Sequence, residues 1–304
     1  MKALVLGGCG FIGSHVVDAL LGAGHDVSVM DRSPLRSDCG WVNVKHFLAD
    51  LDQLDVLARA LIGVDVVYHL VSTTFPSTSN LDPVADIQGN LVATVRLLDL
   101  MREVDCRRIV YFSSGGTVYG EPAVVPVNES CELKPICSYG VVKVAIENYL
   151  FMYERLYGLE PVVLRASNPY GPRQGKTGLQ GLIGTVLNRL RLGEPVTVWG
   201  DGETVRDYIF VTDLARLALM AGSDKAPTGI FNAGSGQGYS VNELLELASK
   251  VTGRALSLDR RAARNFDVHR IILEVSAARN AFGWRPVIQI EEGVKKSWEY
   301  LLTS

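Results

Sequence analysis

The chain has 304 residues, of which 47% are hydrophobic and 21% charged; with a mean hydropathy of +0.16 this is the composition of a packed globular protein, which excludes disorder, collagen and coiled coil. Thirty basic against 33 acidic residues give a net charge of -3, so no basic field is available for nucleic acid or an anionic membrane, and any bound anion must be gripped by a few placed arginines. The cysteines, at 9, 39, 106, 131 and 137, are odd in number and lack metal-type spacing, which predicts small core residues in a reducing compartment.

Residues 2–6 form an apolar run that stops at Gly7-Gly8-Cys9-Gly10, and apolar residues then recur at helical spacing over 11–21. This reads as strand, glycine turn, helix. Further strands are predicted at 26–30, 44–48 and 65–71, with helical patterns at 54–62 and 89–104. A strand at 108–113, a helix at 146–157 and a strand at 160–165 complete the alternation, which predicts an α/β fold with a doubly wound parallel (Rossmann) sheet over 1–165. Right-handed crossovers place the C-terminal ends of such strands on one rim, where ligands bind. After Asn168-Pro169-Tyr170-Gly171-Pro172 the texture changes: helical pieces at 182–192 and 241–251 alternate with short strands at 196–199 and 256–258. A smaller C-terminal α/β substrate lobe over 166–304 is expected, with about 206–235 packing back on the first domain. No run reaches membrane-spanning length and the chain starts directly on an apolar strand without a leader, so the cytoplasm is the expected compartment.

Gly7, Gly10 and Gly13 stand where a dinucleotide turn needs them: the first permits the tight turn, the second lets backbone approach a pyrophosphate, and the third lets helix pack on strand. Asp31 ends the next strand, 18 positions after Gly13, near the distance at which a carboxylate reaches the adenosine ribose hydroxyls. That carboxylate would repel a ribose 2'-phosphate, which favours NAD over NADP; Arg32 beside it keeps NADP open. Tyr139 and Lys143, four apart on a segment that becomes helical, share a face. A lysine cation beside a phenol stabilises the phenolate and lets it take a proton from a hydroxyl. The five histidines, His15, His25, His46, His69 and His269, form no ligand spacing, so no metal is expected.

The motifs GGCGFIGSH (7–15), VYHLVS (67–72), SSGGTVYG (113–120), YGVVK (139–143), SNPYGPRQ (167–174), WGDGETVRDYIFVTD (199–213) and FGWRP (282–286) span nearly the whole chain. As a set they resemble the extended short-chain dehydrogenase/reductases, and within them the nucleotide-sugar epimerases and dehydratases of the UDP-glucose 4-epimerase type. The resemblance implies NAD held at the phosphates by Gly10, Phe11, Ile12 and Gly13, at the ribose by Asp31 and at the adenine by Asp50 and Leu51. It implies that Leu70, Val71, Ser72, Asn90 and Ser113 also serve the cofactor. Nucleotide-sugar contacts are implied at Asn168, at Thr197 and Trp199 beside the base, and at Arg206 and Arg264 on the diphosphate, whose oxygens match guanidinium forks. A homodimer through the helical patterns at 89–104 and 146–157 is implied too.

One position departs from the family. A serine or threonine usually stands four residues before the tyrosine of the VYG motif and bonds the reacting hydroxyl; here that position is Gly115. Thr117 would face the same way if the backbone stays extended, and is the preferred replacement, with Ser114 next. Dehydratases of the family carry Asp-Glu after the threonine and decarboxylases a glutamate, whereas this chain has Gly116-Thr117. The expected reaction is therefore 4-epimerisation of a UDP-hexose, UDP-N-acetylhexosamine or UDP-hexuronic acid. Tyr139 would take the O4 proton as hydride leaves C4 for NAD, and the keto-sugar would turn before hydride returns to its other face. By alignment with the family, Ile271 falls where residue bulk limits C2 substituents. A 4-keto-sugar reductase, a dehydratase and a non-catalytic NAD-binding sensor remain as alternatives.

Overall fold

The structure is a computed structural model, described for residues 1–175, 181–262 and 268–303. Its centre is a seven-stranded, all-parallel sheet in the order β10-β6-β5-β4-β1-β2-β3. The strands are β1 (Lys2–Leu6), β2 (Asp26–Asp31), β3 (Lys45–Leu48), β4 (Val66–His69), β5 (Arg108–Ser114), β6 (Glu160–Ala166) and β10 (Gly229–Ala233). Most are apolar on both faces because helices cover both. Ala3, Val5, Val29, Tyr68, Val110 and Leu164 meet α1 (Phe11–Gly22) and α7 (Val211–Ala221) on one side. Leu4, Leu6, Met30, Val67, Ile109 and Val163 meet α2 (Leu54–Leu61), α4 (Ala93–Glu103) and α5 (Ser138–Tyr157) on the other.

The chain winds outward from β1 to β3 and then crosses back to β4 on β1's other edge, so the β1–β4 boundary is the switch point at which such sheets bind ligands. Three elements differ from the sequence reading. The helix carrying Tyr139 begins at Ser138 rather than 146, its start disguised by Gly140 and two valines that are poor helix formers. The helical pattern at 89–104 is composite: α3 (Pro83–Asp86), a π-helical stretch (Ile87–Val92), then α4. The strand expected at 256–258 runs instead as β12 (Leu258–Arg261).

Outside the central sheet, β9 (Val205–Phe210) pairs with β7 (Asn168–Tyr170), β11 (Gly238–Ser240) and β13 (Arg270–Ile271), and β8 (Val196–Trp199) pairs with β12. These small sheets share a core with α6 (Leu182–Leu192), α8 (Val241–Thr252) and α10 (Ile290–Thr303). The FGWRP motif locks this region to the first: Trp284, fully buried, donates its indole N–H to Asp213 O at 3.0 Å, and the Asp213 carboxylate accepts from Val287 N and Ile288 N.

Candidate active site

A cleft of about 230 Å³ opens at the rim where β1, β2 and β4 end. Gly7, Gly10, Asp31, Arg32, Asp50, Leu51, Leu70, Val71 and Ser72 line it, together with Cys9, Ser33 and Thr73, which sequence reasoning did not single out. Gly7 has φ +83°, and a Cβ there would meet Val71 N at 3.3 Å. At Gly13 a Cβ would overlap Gly7 O, so only glycine lets α1 start this close to the turn. Gly10 caps α1 in an extended conformation with no side chain over the end, which leaves the amides of Phe11, Ile12 and Gly13 as donors for a pyrophosphate. Asp31 Oδ2 accepts from Cys9 N and Oδ1 from Ser33 N, both at 2.9 Å, which fixes the carboxylate on the cleft wall. The cradle, the open helix end and the fixed carboxylate fit a dinucleotide. Cys9 itself is inert, its thiol pushed up to about 12 by burial.

Tyr139 and Lys143 occupy the first two turns of α5. Lys143 is buried; its Nζ donates to Phe112 O at 2.8 Å and lies 4.7 Å from the Tyr111 ring and 5.4 Å from the Tyr139 ring. Burial lowers the ammonium to about 8, against the opposing pull of Glu147 and Asp86. Burial also raises the Tyr139 phenol, with Cys137 and Asp86 adding to the rise and a hydrogen bond with Ser114 opposing it. A cation brought close to the phenol is what would make it a base near neutrality.

Two buried carboxylates flank this pair. Glu147, one turn beyond Lys143, takes Arg165 at 3.1 and 2.6 Å and the Ser113 hydroxyl at 2.5 Å. Ser113 therefore spends its hydroxyl on Glu147 rather than on the cleft. Asp86 accepts from Thr74, Asn90 and Ser138. Asn90, in the π-helical stretch, also accepts Thr73 N at 2.9 Å and so braces the cleft wall from behind. Glu147 lies on the same helical face as Tyr139 and Lys143, a spacing visible in the sequence; Asp86 carried no such signal.

The extended backbone on which the orientation of Thr117 was premised is absent. The chain turns at Ser114, whose carbonyl accepts from Thr117 N and Val118 N, so alternation along a strand does not apply to Thr117. Its hydroxyl oxygen is buried without a partner among the described residues, while Ser114 is the hydroxyl whose hydrogen bond opposes the rise of the Tyr139 phenol. Gly115 leaves no room for a side chain: a Cβ would sit 2.5 Å from Leu273 Cδ1 and 3.0 Å from Arg165 O. At Gly116 a Cβ would be 4.0 Å from both Ser114 Oγ and Asn168 Oδ1, in ordinary space.

The residues expected at the nucleotide-sugar are spread over separate small strands. Asn168, on β7, donates to Asp207 O at 3.1 Å. Thr197 and Trp199 share a face of β8; Thr197 donates to Asp259 at 3.3 Å and Arg261 stacks 5.6 Å over the Trp199 ring. Arg206, on β9, donates to Val205 O at 2.9 Å, and the adjacent Asp207 carboxylate is bound instead by Ser235, Gly236 and Leu273. Ile271 is buried among Val118, Tyr119, Val127 and Leu273. Arg264 lies outside the described residues.

Comparison with known proteins agrees with this architecture. The model of the NAD dependent epimerase/dehydratase family matches residues 3–234, and the chain belongs to that family. It is 34% identical over 310 residues to the UDP-glucose 4-epimerase of Mycolicibacterium smegmatis, covering 99% of this chain and 98% of that protein. Among solved structures it resembles the Thermotoga maritima UDP-glucose 4-epimerase with UDP-glucose, at 35% identity and TM-score 0.95 over 100% of this chain and 99% of that one. The Thermus thermophilus UDP-glucose 4-epimerase in complex with NAD aligns at 32% identity and TM-score 0.93 over 99% of each chain. Relatives with other reactions also match: an Escherichia coli dTDP-4-dehydro-6-deoxyglucose reductase is 31% identical over 96% of this chain and 95% of its own length. The protein is an NAD-dependent enzyme of this family. Among the described residues no helix is long and apolar enough to cross a membrane.

Proposed function

We propose that the protein epimerises a UDP-sugar at C4. The observation that carries this reading is the bare backbone at Gly115–Gly116 beside Ser114, Tyr139 and Lys143: the apparatus for oxidising and re-reducing one carbon is present, and no carboxylate stands in the turn to eliminate water or drive a second bond cleavage. NAD, when bound, supplies a reversible hydride acceptor. Tyr139 takes the O4 proton and later returns it, Lys143 stabilises the phenolate, and Ser114 orients the reacting hydroxyl. Arg206 and Arg264 grip the diphosphate and Trp199 and Thr197 flank the base, so the nucleotide stays anchored while the 4-keto ring turns between faces. We assign the cofactor to residues 1–165 with 206–235 packed on them, and the sugar to 166–304.

A second copy is proposed on the outer face of α4 and α5, where Tyr149, Met152, Leu156 and Tyr157 are exposed apolar or aromatic residues on one long helix. The function is tested by incubating purified protein, without added cofactor, with UDP-hexoses, UDP-N-acetylhexosamines and UDP-hexuronic acids and following the anomeric and H4 signals by NMR. The C4 epimer should appear from at least one of them. A 4-keto product, or turnover only with added reduced cofactor, would replace epimerisation by dehydration or reduction.

A further inference from the structure

Asp86 is fully buried beside the catalytic pair, and among the described residues its carboxylate takes hydrogen bonds only from neutral groups: Thr74 Oγ1 at 2.6 Å, Ser138 Oγ at 2.7 Å and Asn90 Nδ2 at 2.8 Å. It forms no ion pair among the described residues. Glu147, the other buried carboxylate at the site, is closed by a forked contact with Arg165, which sits 2% exposed against it. The two acids thus differ in kind: both raise the Lys143 ammonium, Glu147 more than Asp86, but Glu147 is paired with Arg165 whereas Asp86 forms no ion pair among the described residues. A carboxylate buried without a cation is costly, and Asp86 acts on the buried ammonium of Lys143, which it raises.

The position of Asp86 also matters. It closes the C-terminal end of α3 immediately before the π-helical stretch, a local underwinding of the helix that often marks functional sites. From there its three hydrogen bonds join the loop after β4, the π-helical stretch holding Asn90, and Ser138, the residue before Tyr139.

On the reading of the site given above, we propose that Asp86 is a positioning residue for Tyr139 and Lys143, the buried counter-charge that keeps the Lys143 ammonium in place and seats the first turn of α5 through Ser138. Other titratable groups face the pair: Glu147 on α5, closed by Arg165; Cys137 before it; Tyr111 on β5; and His69 on β4, which burial lowers to about 3 and so keeps neutral. None of them duplicates an unpaired negative charge at this spot.

The signs follow from the chemistry. Lys143 works as the ammonium, below its own titration, and Tyr139 as the phenolate, above its own. Asp86 raises both groups, so its neutralisation lowers both. In Asp86→Asn the acid and alkaline limbs of the rate profile should both move to lower pH, by roughly one unit, the scale of a nearby charge's effect. Ser138→Ala breaks one hydrogen bond but keeps the charge, and its limbs should stay where the unsubstituted protein has them. Asp86→Ser, smaller and neutral, replaces Asp86→Asn if the asparagine variant does not fold against the Asn90 amide.

The same effect is read without turnover by ultraviolet difference titration of Tyr139, taken as each protein minus its Tyr139→Phe counterpart. A phenol that titrates at lower pH once Asp86 is neutral supports the proposal. Limbs and phenol titration both unmoved, with only a smaller rate, would reduce Asp86 to a structural brace and overturn it. If the unsubstituted protein epimerises no UDP-sugar, the functional reading fails by itself, and the phenol titration still decides the role of Asp86.

Discussion

The cofactor cleft and the region proposed to hold the sugar are built by different routes. In the first, residues from 7 to 73 converge on one cleft because parallel strands joined by right-handed crossovers all end on the same rim. In the second, Asn168, Thr197 and Trp199, and Arg206 sit on β7, β8 and β9, strands of three, four and six residues in two separate small sheets. A large regular sheet converts order along the chain into convergence in space, whereas short strands in separate sheets do not. Tyr139, Lys143 and Ser114 stand on the cofactor side of this divide, and the comparison is sharpest where substitutions on either side are expected to change different constants.

The largest effect is expected from Tyr139→Phe, which keeps the ring and removes the proton acceptor. The rate constant kcat should fall by about 10²–10⁴, the usual range for a positioned acid–base group. Co-purified NAD, read by absorbance after denaturation, should stay at the unsubstituted level. Loss of the cofactor together with the rate would place Tyr139 in binding rather than chemistry.

Next is the brace behind the pair. Glu147→Ala strands the buried guanidinium of Arg165, which is also held by Tyr119 and the carbonyl of Glu129. The cost should be about 3–5 kcal/mol of unfolding free energy, measured by urea titration. The sugar half supplies the contrast: Arg206→Ala should raise KM about 10- to 100-fold through the loss of a charge-assisted contact, with kcat largely kept. A fall in kcat at constant KM would move Arg206 from anchoring the diphosphate to the reacting carbon.

The difference between the halves also explains what could be read beforehand. The Gly7–Gly13 turn, Asp31 and the Tyr139–Lys143 spacing are local patterns, complete within one or two elements, and the large sheet follows from alternation of period. Glu147 could have been found on the same reasoning, since it extends the helical face of Tyr139 and Lys143 by one more turn. Asp86 could not: its partners Thr74 and Ser138 are 12 and 52 residues away, and nothing local marks it. The two- and three-residue strands β7, β11 and β13 are too short to show a period, and they exist because β9 offers edges to pair with. The orientation expected for Thr117 rests on strand alternation, and the strand ends before it, at Ser114.

That point yields the finest test. Ser114 and Thr117 both bear hydroxyls, but one acts on the Tyr139 phenol and the other buries an oxygen with no partner among the described residues. Ser114→Ala should lower kcat by about tenfold or more, the worth of a hydrogen bond to a group that becomes charged. Thr117→Val preserves shape and removes a buried polar atom that bonds nothing among the described residues, so stability should hold or rise slightly and the rate should change little. A larger loss of rate in Thr117→Val than in Ser114→Ala would mean that the sugar supplies the missing partner of Thr117. The reacting hydroxyl would then lie deeper in the turn than the Ser114–Tyr139 pairing places it.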